Sequence, residues 1–392
     1  MTHYQHLLIG GGMTADAAAH GIREVDANAT IGLISAEPHP PYSRPPLSKG
    51  LWKDTPLASI WRDTADAGVA LHLGRRVTTL DPAARQVTDD TGAVYSYDTL
   101  LLATGGTPRR LSSSADDVIY FRTYDDFSRL RALSDARRRV IVVGSGFIGS
   151  EMAAALQMQG HDVTMLMPEE GIGRRVFPDE LSRHLVDDFR ARGIAVFTGR
   201  EVTSVRRDDA QAIVTTVGGD AFTADVVVAG VGLTPNVELA EQAGLEVANG
   251  IVVDERLRTR RPDIYAAGDV ANFHNPALGA RMRVEHEDNA LTMGRRAGRN
   301  MAGEAVAYHH LPFFYSDLFD LGYEAVGEVD ARLQTVADWT VPFREGVIYY
   351  LRDGRVRGVL LWNVWGQVDA ARRLINTPGP ITASALIGRL PE

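Results

Sequence analysis

The sequence predicts an α/β chain in which two doubly wound, three-layer parallel-sheet domains precede a C-terminal α+β domain. Three observations predict it. A pattern of apolar strand, glycine-rich turn, helix, strand and acidic residue starts at Leu7. The same pattern restarts at Arg139. After residue 310 the chain turns to strand patterns flanking Asp353-Gly354, a hairpin turn signal, with dense aromatics including Tyr349, Tyr350, Trp362 and Trp365 that read mostly as core. A length of 392 residues fits two or three domains.

Composition narrows the function classes. Hydrophobic residues make up 45% and charged residues 23%, as in globular proteins. A net charge of -9 argues against a general nucleic-acid binder, which needs a basic face. Cysteine is absent, so this chain forms no disulfide, thiolate metal site, iron–sulfur ligation or redox-active dithiol. No metal is expected. No apolar run reaches the length of a membrane span. The first residues lead into an apolar strand without a basic leader, apolar h-region or transit segment, which predicts a cytoplasmic location.

Leu7 to Ile9 reads as a buried strand, followed by Gly10-Gly-Gly-Met-Thr-Ala15 and an alanine-rich helix. Ile31 to Ile34 is the next strand, leading to Glu37. Gly10 and Gly12 allow a tight turn and close approach of a pyrophosphate, and Ala15 is the small residue where helix meets strand. The helix N-terminus offers free N–H groups to phosphate. Glu37 stands where a carboxylate accepts from a ribose diol; it also reads as a solvated loop residue.

The second unit runs from strand Arg139 to Val143 through Gly144-Ser-Gly-Phe-Ile-Gly149 into a helix ending near Gln159. Val163 to Met167 is its second strand, with Glu169 just beyond. Met167 holds the strand-end position where the acid often sits. Both acids fall a little beyond the usual spacing of roughly 20. One such turn occurs in unrelated α/β proteins; two in register point to Rossmann-like dinucleotide binding. Ala103-Thr104-Gly105 and Gly268-Asp269 each end an apolar strand, where a backbone can approach a ligand.

The strings Gly10-Gly-Gly, Pro41-Tyr-Ser-Arg-Pro-Pro-Leu-Ser-Lys49, Ala103-Thr-Gly, Gly144-Ser-Gly-Phe-Ile-Gly-Ser-Glu151, Gly232-Leu-Thr-Pro-Asn236 and Ala267-Gly-Asp269 occur in this order. Together they resemble the FAD-dependent pyridine-nucleotide oxidoreductases of the ferredoxin/rubredoxin reductase type. Phe314-Tyr-Ser-Asp-Leu-Phe-Asp-Leu-Gly-Tyr-Glu-Ala-Val-Gly327 and Val359-Leu-Leu-Trp-Asn363 resemble the apoptosis-inducing-factor-like branch. The resemblance implies a glutathione-reductase-like fold. It divides the chain into an FAD domain of residues 1–125 and 254–309, an NAD domain of residues 126–253, and a C-terminal α+β domain of residues 310–392. The stretches 135–139 and 254–258 lie near the crossings.

The resemblance also assigns roles. Lys49 and Glu151 form an ion pair beside the flavin. Phe147 covers the flavin where the nicotinamide stacks, and Tyr315 stands where the animal protein has a tryptophan. Arg44 faces phosphate or flavin. Arg109 is the basic residue near the FAD phosphates or ribityl, with Arg110 competing for that place. Glu285 and His286 precede a helix whose N-terminus points at the flavin pyrimidine. Ile148 and Gly149 belong to the second glycine loop, and Gly232 to the Gly232-Leu-Thr-Pro-Asn236 string within the NAD domain. Without the resemblance, Lys49 also reads as an exposed loop lysine, Phe147 as packing under the turn, and His286 as a structural histidine. Glu169 favours NAD over NADP because a carboxylate repels a 2′-phosphate; Arg174 and Arg175, close by, act against this.

The implied cofactors are FAD and NAD, used as NADH rather than NADPH. The implied function moves hydride from NADH to FAD and electrons on to a ferredoxin- or rubredoxin-type protein, a quinone or another small acceptor. A redox-controlled binding protein, with a homodimer that depends on the reduced state, is the alternative.

Overall fold

The structure is a computed structural model describing every residue except 115, 117, 135, 209, 210 and 392. Position 135 of the predicted crossing 135–139 therefore lies outside the described residues. Long-range contacts divide the chain into two compact units. Unit 1 is Met1–Ser43, Pro56–Thr107 and Thr234–Pro312; unit 2 is Arg44–Thr55, Pro108–Leu233 and Phe313–Glu392.

Unit 1 is built on a parallel sheet. The strand Thr2–Ile9 lies between Ile31–Ile34 and Val94–Leu102, and Val69–His72 adds outside Ile31–Ile34. Ile264–Ala266 pairs in parallel with the carboxyl end of Val94–Leu102. Val77–Asp81 and Gln86–Asp89 extend the sheet in antiparallel fashion from the other end of that strand. The central strands read as unbroken apolar runs because both faces are covered. Leu7, Leu8, Leu33, Leu100 and Leu101 are fully buried.

The helix Met13–Val25 packs on the helix Glu287–Met301. Their backbones nearly touch. A Cβ at Gly298 would lie 2.0 Å from the Ala18 carbonyl oxygen, which only glycine permits. Arginines at the solvent end join the pair, with Arg299 bonded to Glu24 and to Glu304.

Unit 2 contains the second parallel sheet, in the order Ala195–Phe197, Asp162–Leu166, Arg139–Val143, Val226–Ala229, Ile119–Tyr120. Its central strands are likewise buried. A three-stranded antiparallel sheet, Val202–Asp208, Gln211–Thr216 and Ala221–Ala224, accompanies it. The C-terminal sheet runs Phe313–Leu318, Leu321–Gly327, Arg355–Trp362, Glu345–Arg352, Gln334–Val341, all antiparallel. The predicted hairpin turn is present: Asp353 and Gly354 both have positive φ, as a tight two-residue turn requires. The helix Val368–Asn376 covers the middle strands. Trp362, Tyr349 and Tyr350 are buried as the core reading expected, whereas Trp365 is 52% exposed.

Segment Arg44–Thr55 groups with unit 2 although its sequence neighbours build unit 1. Trp52 explains part of this. Its ring is 5.6 Å from Phe127 and lies under the Arg131 guanidinium, and Gln159 donates to its carbonyl.

Gly298→Ala should force the two helices apart and lower unfolding stability by about 1–3 kcal/mol. Thermal or urea unfolding of the holoprotein checks this; an unchanged midpoint contradicts the close approach.

Candidate functional site

The first glycine loop sits at the carboxyl end of the central strand of unit 1. Gly10 has φ +126, and a Cβ there would lie 2.1 Å from the Ala103 carbonyl oxygen. The turn thus fits only because position 10 has no side chain. Gly12 is the N-cap of the helix Met13–Val25 and receives no side-chain cap. A Cβ at Gly12 would meet open space. An uncapped helix N-terminus over open space fits a dinucleotide pyrophosphate. Ala15 is fully buried in the core of unit 1.

Other unit 1 candidates gather around this loop or are tied down nearby. Glu37 accepts from the Tyr42 hydroxyl at 2.6 Å and is half-buried. Thr104 donates to the Asn236 carbonyl at 2.7 Å, and the Asn236 amide returns a bond to the Thr104 carbonyl at 2.9 Å. This holds the Ala103-Thr104-Gly105 turn. Gly268 has φ +76, and a Cβ there would strike the Thr14 hydroxyl at 2.3 Å. Asp269 follows, its carbonyl accepting from Arg283, which also pairs with Glu285 at 2.6 Å. His286 is the N-cap of the helix Glu287–Met301.

Nothing local in the sequence marks Asp16, yet it is fully buried in the first turn of the glycine-loop helix. It accepts from Arg62 at 2.5 Å and Thr64 at 2.6 Å. This buried ion pair fixes the segment after Trp61 against the helix.

The second glycine loop repeats the geometry in unit 2. Gly144 has φ +109, and its missing Cβ would lie 2.4 Å from the Gly230 carbonyl oxygen. Gly149 lies against the Gly144 carbonyl, and Gly146 is an uncapped N-cap facing open space. Ile148 lies against Gly230. Glu169 turns back to this loop, accepting from Ser145 at 3.0 Å. Of the two nearby arginines, Arg174 pairs with Asp179, while Arg175 is 3.5 Å from Glu169 and 85% exposed. Arg109 and Arg110 separate as well. The Arg109 backbone donates to the Gly232 carbonyl, and its side chain runs beside Gly232. The Arg110 guanidinium lies over the Tyr120 ring. Arg44 donates to the Arg122 carbonyl at 3.0 Å.

The densest chemistry in unit 2 surrounds Glu151. This carboxylate is 3% exposed and pairs with the Lys49 ammonium at 2.7 Å. Lys49 is itself 13% exposed, so it is not a loop lysine in water. It lies 5.4 Å from the centre of the Tyr315 ring. Phe147 packs 5.0 Å from Phe314, one residue before Tyr315. Sequence motifs brought Lys49, Glu151, Phe147 and Tyr315 forward, and the fold brings them together. Ser48 and Ser316 complete the cluster and carry no motif signal: each donates its hydroxyl to Glu151, at 2.6 and 2.5 Å. Across the strand pair from Tyr315 stands Glu324, whose pKa is pushed up by burial.

Two dinucleotide cradles and a buried cation–carboxylate pair define a two-nucleotide oxidoreductase. The chain belongs to the pyridine nucleotide-disulphide oxidoreductase family, which it matches over residues 4–294. Its cofactors are accordingly FAD and a nicotinamide dinucleotide. Residues 297–345 and 338–377 match the C-terminal domain family of mitochondrion-associated apoptosis-inducing factor. The chain is 38% identical to the ferredoxin–NAD(+) reductase component of the anthranilate 1,2-dioxygenase system of Burkholderia cepacia, covering 94% of this chain and 93% of that one. It is 33% identical to a putative apoptosis-inducing factor 1 of Drosophila melanogaster, covering 95% of this chain but only 63% of that protein's length. A ferredoxin reductase from Rhodopseudomonas palustris superposes with a TM-score of 0.89 at 31% identity, over 97% of this chain and 96% of that one. Among the described residues no helix is long and apolar enough to cross a membrane, and no group of three or more His, Cys, Asp or Glu could hold a metal ion.

Gly10→Val should cost the protein its FAD, because the new side chain collides with the Ala103 carbonyl. The ratio of flavin absorbance to protein absorbance after purification should fall severalfold. Full flavin content would contradict the cradle.

Proposed function

We propose that this chain takes reducing equivalents from NADH into FAD and passes them to an iron–sulfur carrier protein of the ferredoxin type. The observation that carries the reading is the buried Lys49–Glu151 pair, flanked by Tyr315 and by Phe147 of the second glycine loop. A charged pair sealed from water is costly, and is retained where a charge is needed in a dry place. The names of the Burkholderia and Rhodopseudomonas relatives support ferredoxin as the acceptor.

In this reading Gly10, Gly12, Ala15, Glu37, Arg44, Ala103, Thr104, Gly105, Arg109, Gly268, Asp269, Glu285 and His286 hold the FAD. Gly144, Gly146, Ile148, Gly149, Glu169 and Gly232 hold the nicotinamide dinucleotide. The division into domains 1–125 with 254–309, 126–253 and 310–392 follows these roles. The bound flavin supplies the conversion between two-electron and one-electron transfer. Lys49 favours negative charge on the reduced ring, and Glu151 fixes where Lys49 points. Phe147 guards the face that the nicotinamide takes, and the Tyr315 ring faces the Lys49 ammonium. The chain has no cysteine, so electrons leave without a protein dithiol.

Glu169 is held toward the second glycine loop by Ser145, which supports NADH over NADPH. In stopped-flow reduction NADH should outpace NADPH by about tenfold or more, and Glu169→Ala should narrow the gap. Faster reduction by NADPH would overturn the assignment. In steady state a [2Fe–2S] ferredoxin should turn over with NADH, with a rate that falls as salt rises. Turnover with a benzoquinone and with no ferredoxin would overturn the choice of acceptor.

A further inference from the structure

Glu151 has more partners than an ion pair requires. A carboxylate offers about four acceptor positions, and Lys49 meets one of them. Ser316 donates to the same oxygen as Lys49, Oε1, and Ser48 donates to Oε2. Both serines are buried, at 5% and 1% exposed for Ser48 and Ser316. The three donors come from two separate stretches of the chain: the 44–55 segment supplies Ser48 and Lys49, and the strand Phe313–Leu318 supplies Ser316.

We infer that Ser48 and Ser316 are positioning residues, which hold the Glu151 carboxylate in one plane so that the Lys49 ammonium stays aimed. The inference rests on the proposed role of the Lys49–Glu151 pair at the flavin. A buried carboxylate facing one ammonium alone has lone pairs unmet and is free to turn about its last bond. Two hydroxyl donors of 2.5 and 2.6 Å meet lone pairs on both of its oxygens. They also restrict rotation of the carboxylate, whose direction sets that of Lys49.

Other ionisable groups lie on the elements packed against the helix of Glu151. Ser316 lies directly across the strand pair from Tyr323, a fully buried phenol that is hydrogen-bonded to it. Burial pushes the Tyr323 hydroxyl well above its ordinary pKa, and the Glu151 charge adds to the rise, so it keeps its proton. Tyr315, Asp317 and Glu324 lie on the same two strands, and Tyr350 on the strand Glu345–Arg352. Arg139 and Asp162, at the starts of the two sheet strands under the helix, are engaged with Asp225 and Arg137. Lys49 is the cation that bonds Glu151.

The test uses the FAD-loaded protein. The flavin midpoint potential and the rate of flavin reduction by NADH are measured for the natural protein and for Ser316→Ala, Ser48→Ala, Ser316→Thr and Glu151→Gln. Removing one donor lets the carboxylate turn, and Lys49 with it. Ser316→Ala and Ser48→Ala should therefore lower the midpoint potential and slow reduction severalfold, in the direction of Glu151→Gln. Ser316→Thr, which keeps a hydroxyl, should restore the natural values. If Ser316→Ala fails to hold flavin, Ser48→Ala decides the question. Unmoved potential and rate in the alanine variants, with a clear effect of Glu151→Gln, overturn the positioning role. No effect of Glu151→Gln on the potential or the rate overturns the reading beneath it.

Discussion

A carboxylate taken out of water must have its lone pairs met, and Glu151 is the place in unit 2 where this demand is greatest. Its partners come from the 44–55 segment and the first strand of the C-terminal sheet, while its own helix opens with the second glycine loop. Unit 2 therefore holds these three parts in one register. Such a pair adds little net stability, because desolvation offsets attraction; removing one partner alone costs about 3–5 kcal/mol. What it does fix is the place of an ammonium, over the Tyr315 ring.

The two glycine loops depend on a different constraint, the close approach of backbones. At Gly10 and Gly144 a carbonyl from the neighbouring strand end fills the place of a side chain. The loop is then pressed onto the sheet, and the next helix starts with its uncapped end over open space. Anion binding follows from this geometry, since unmet N–H groups and the helix dipole both favour phosphate. The same solution appears twice in one chain, with different surroundings. Glu37 is tied to Tyr42, and Glu169 to Ser145 within its own loop.

Much of this was legible in the sequence where the signal is local. Ile31–Ile34 and Arg139–Val143 have the bounds that their apolar runs suggest, because buried parallel strands need no alternation. The Asp353-Gly354 turn was legible from its backbone demands. Strand Asp162–Leu166 begins and ends one residue earlier than its apolar run, within ordinary boundary scatter. What could not be read was long-range. Ser48 and Ser316 lie 103 and 165 positions from Glu151, and a serine hydroxyl carries no pattern of its own. The grouping of Arg44–Thr55 with unit 2 rests on Trp52 and Glu151 contacts that no window contains. Asp16 reads as an ordinary first-turn acid, and only its burial with Arg62 and Thr64 shows otherwise.

The central claim is that one polypeptide carries a flavin that a nicotinamide reduces directly. Anaerobic titration of the purified yellow protein with NADH, followed through the visible flavin band, tests it most directly. The band should bleach completely with one equivalent per bound flavin. A folded protein that takes up no FAD, or a flavin band that neither NADH nor NADPH in excess can bleach, would contradict it.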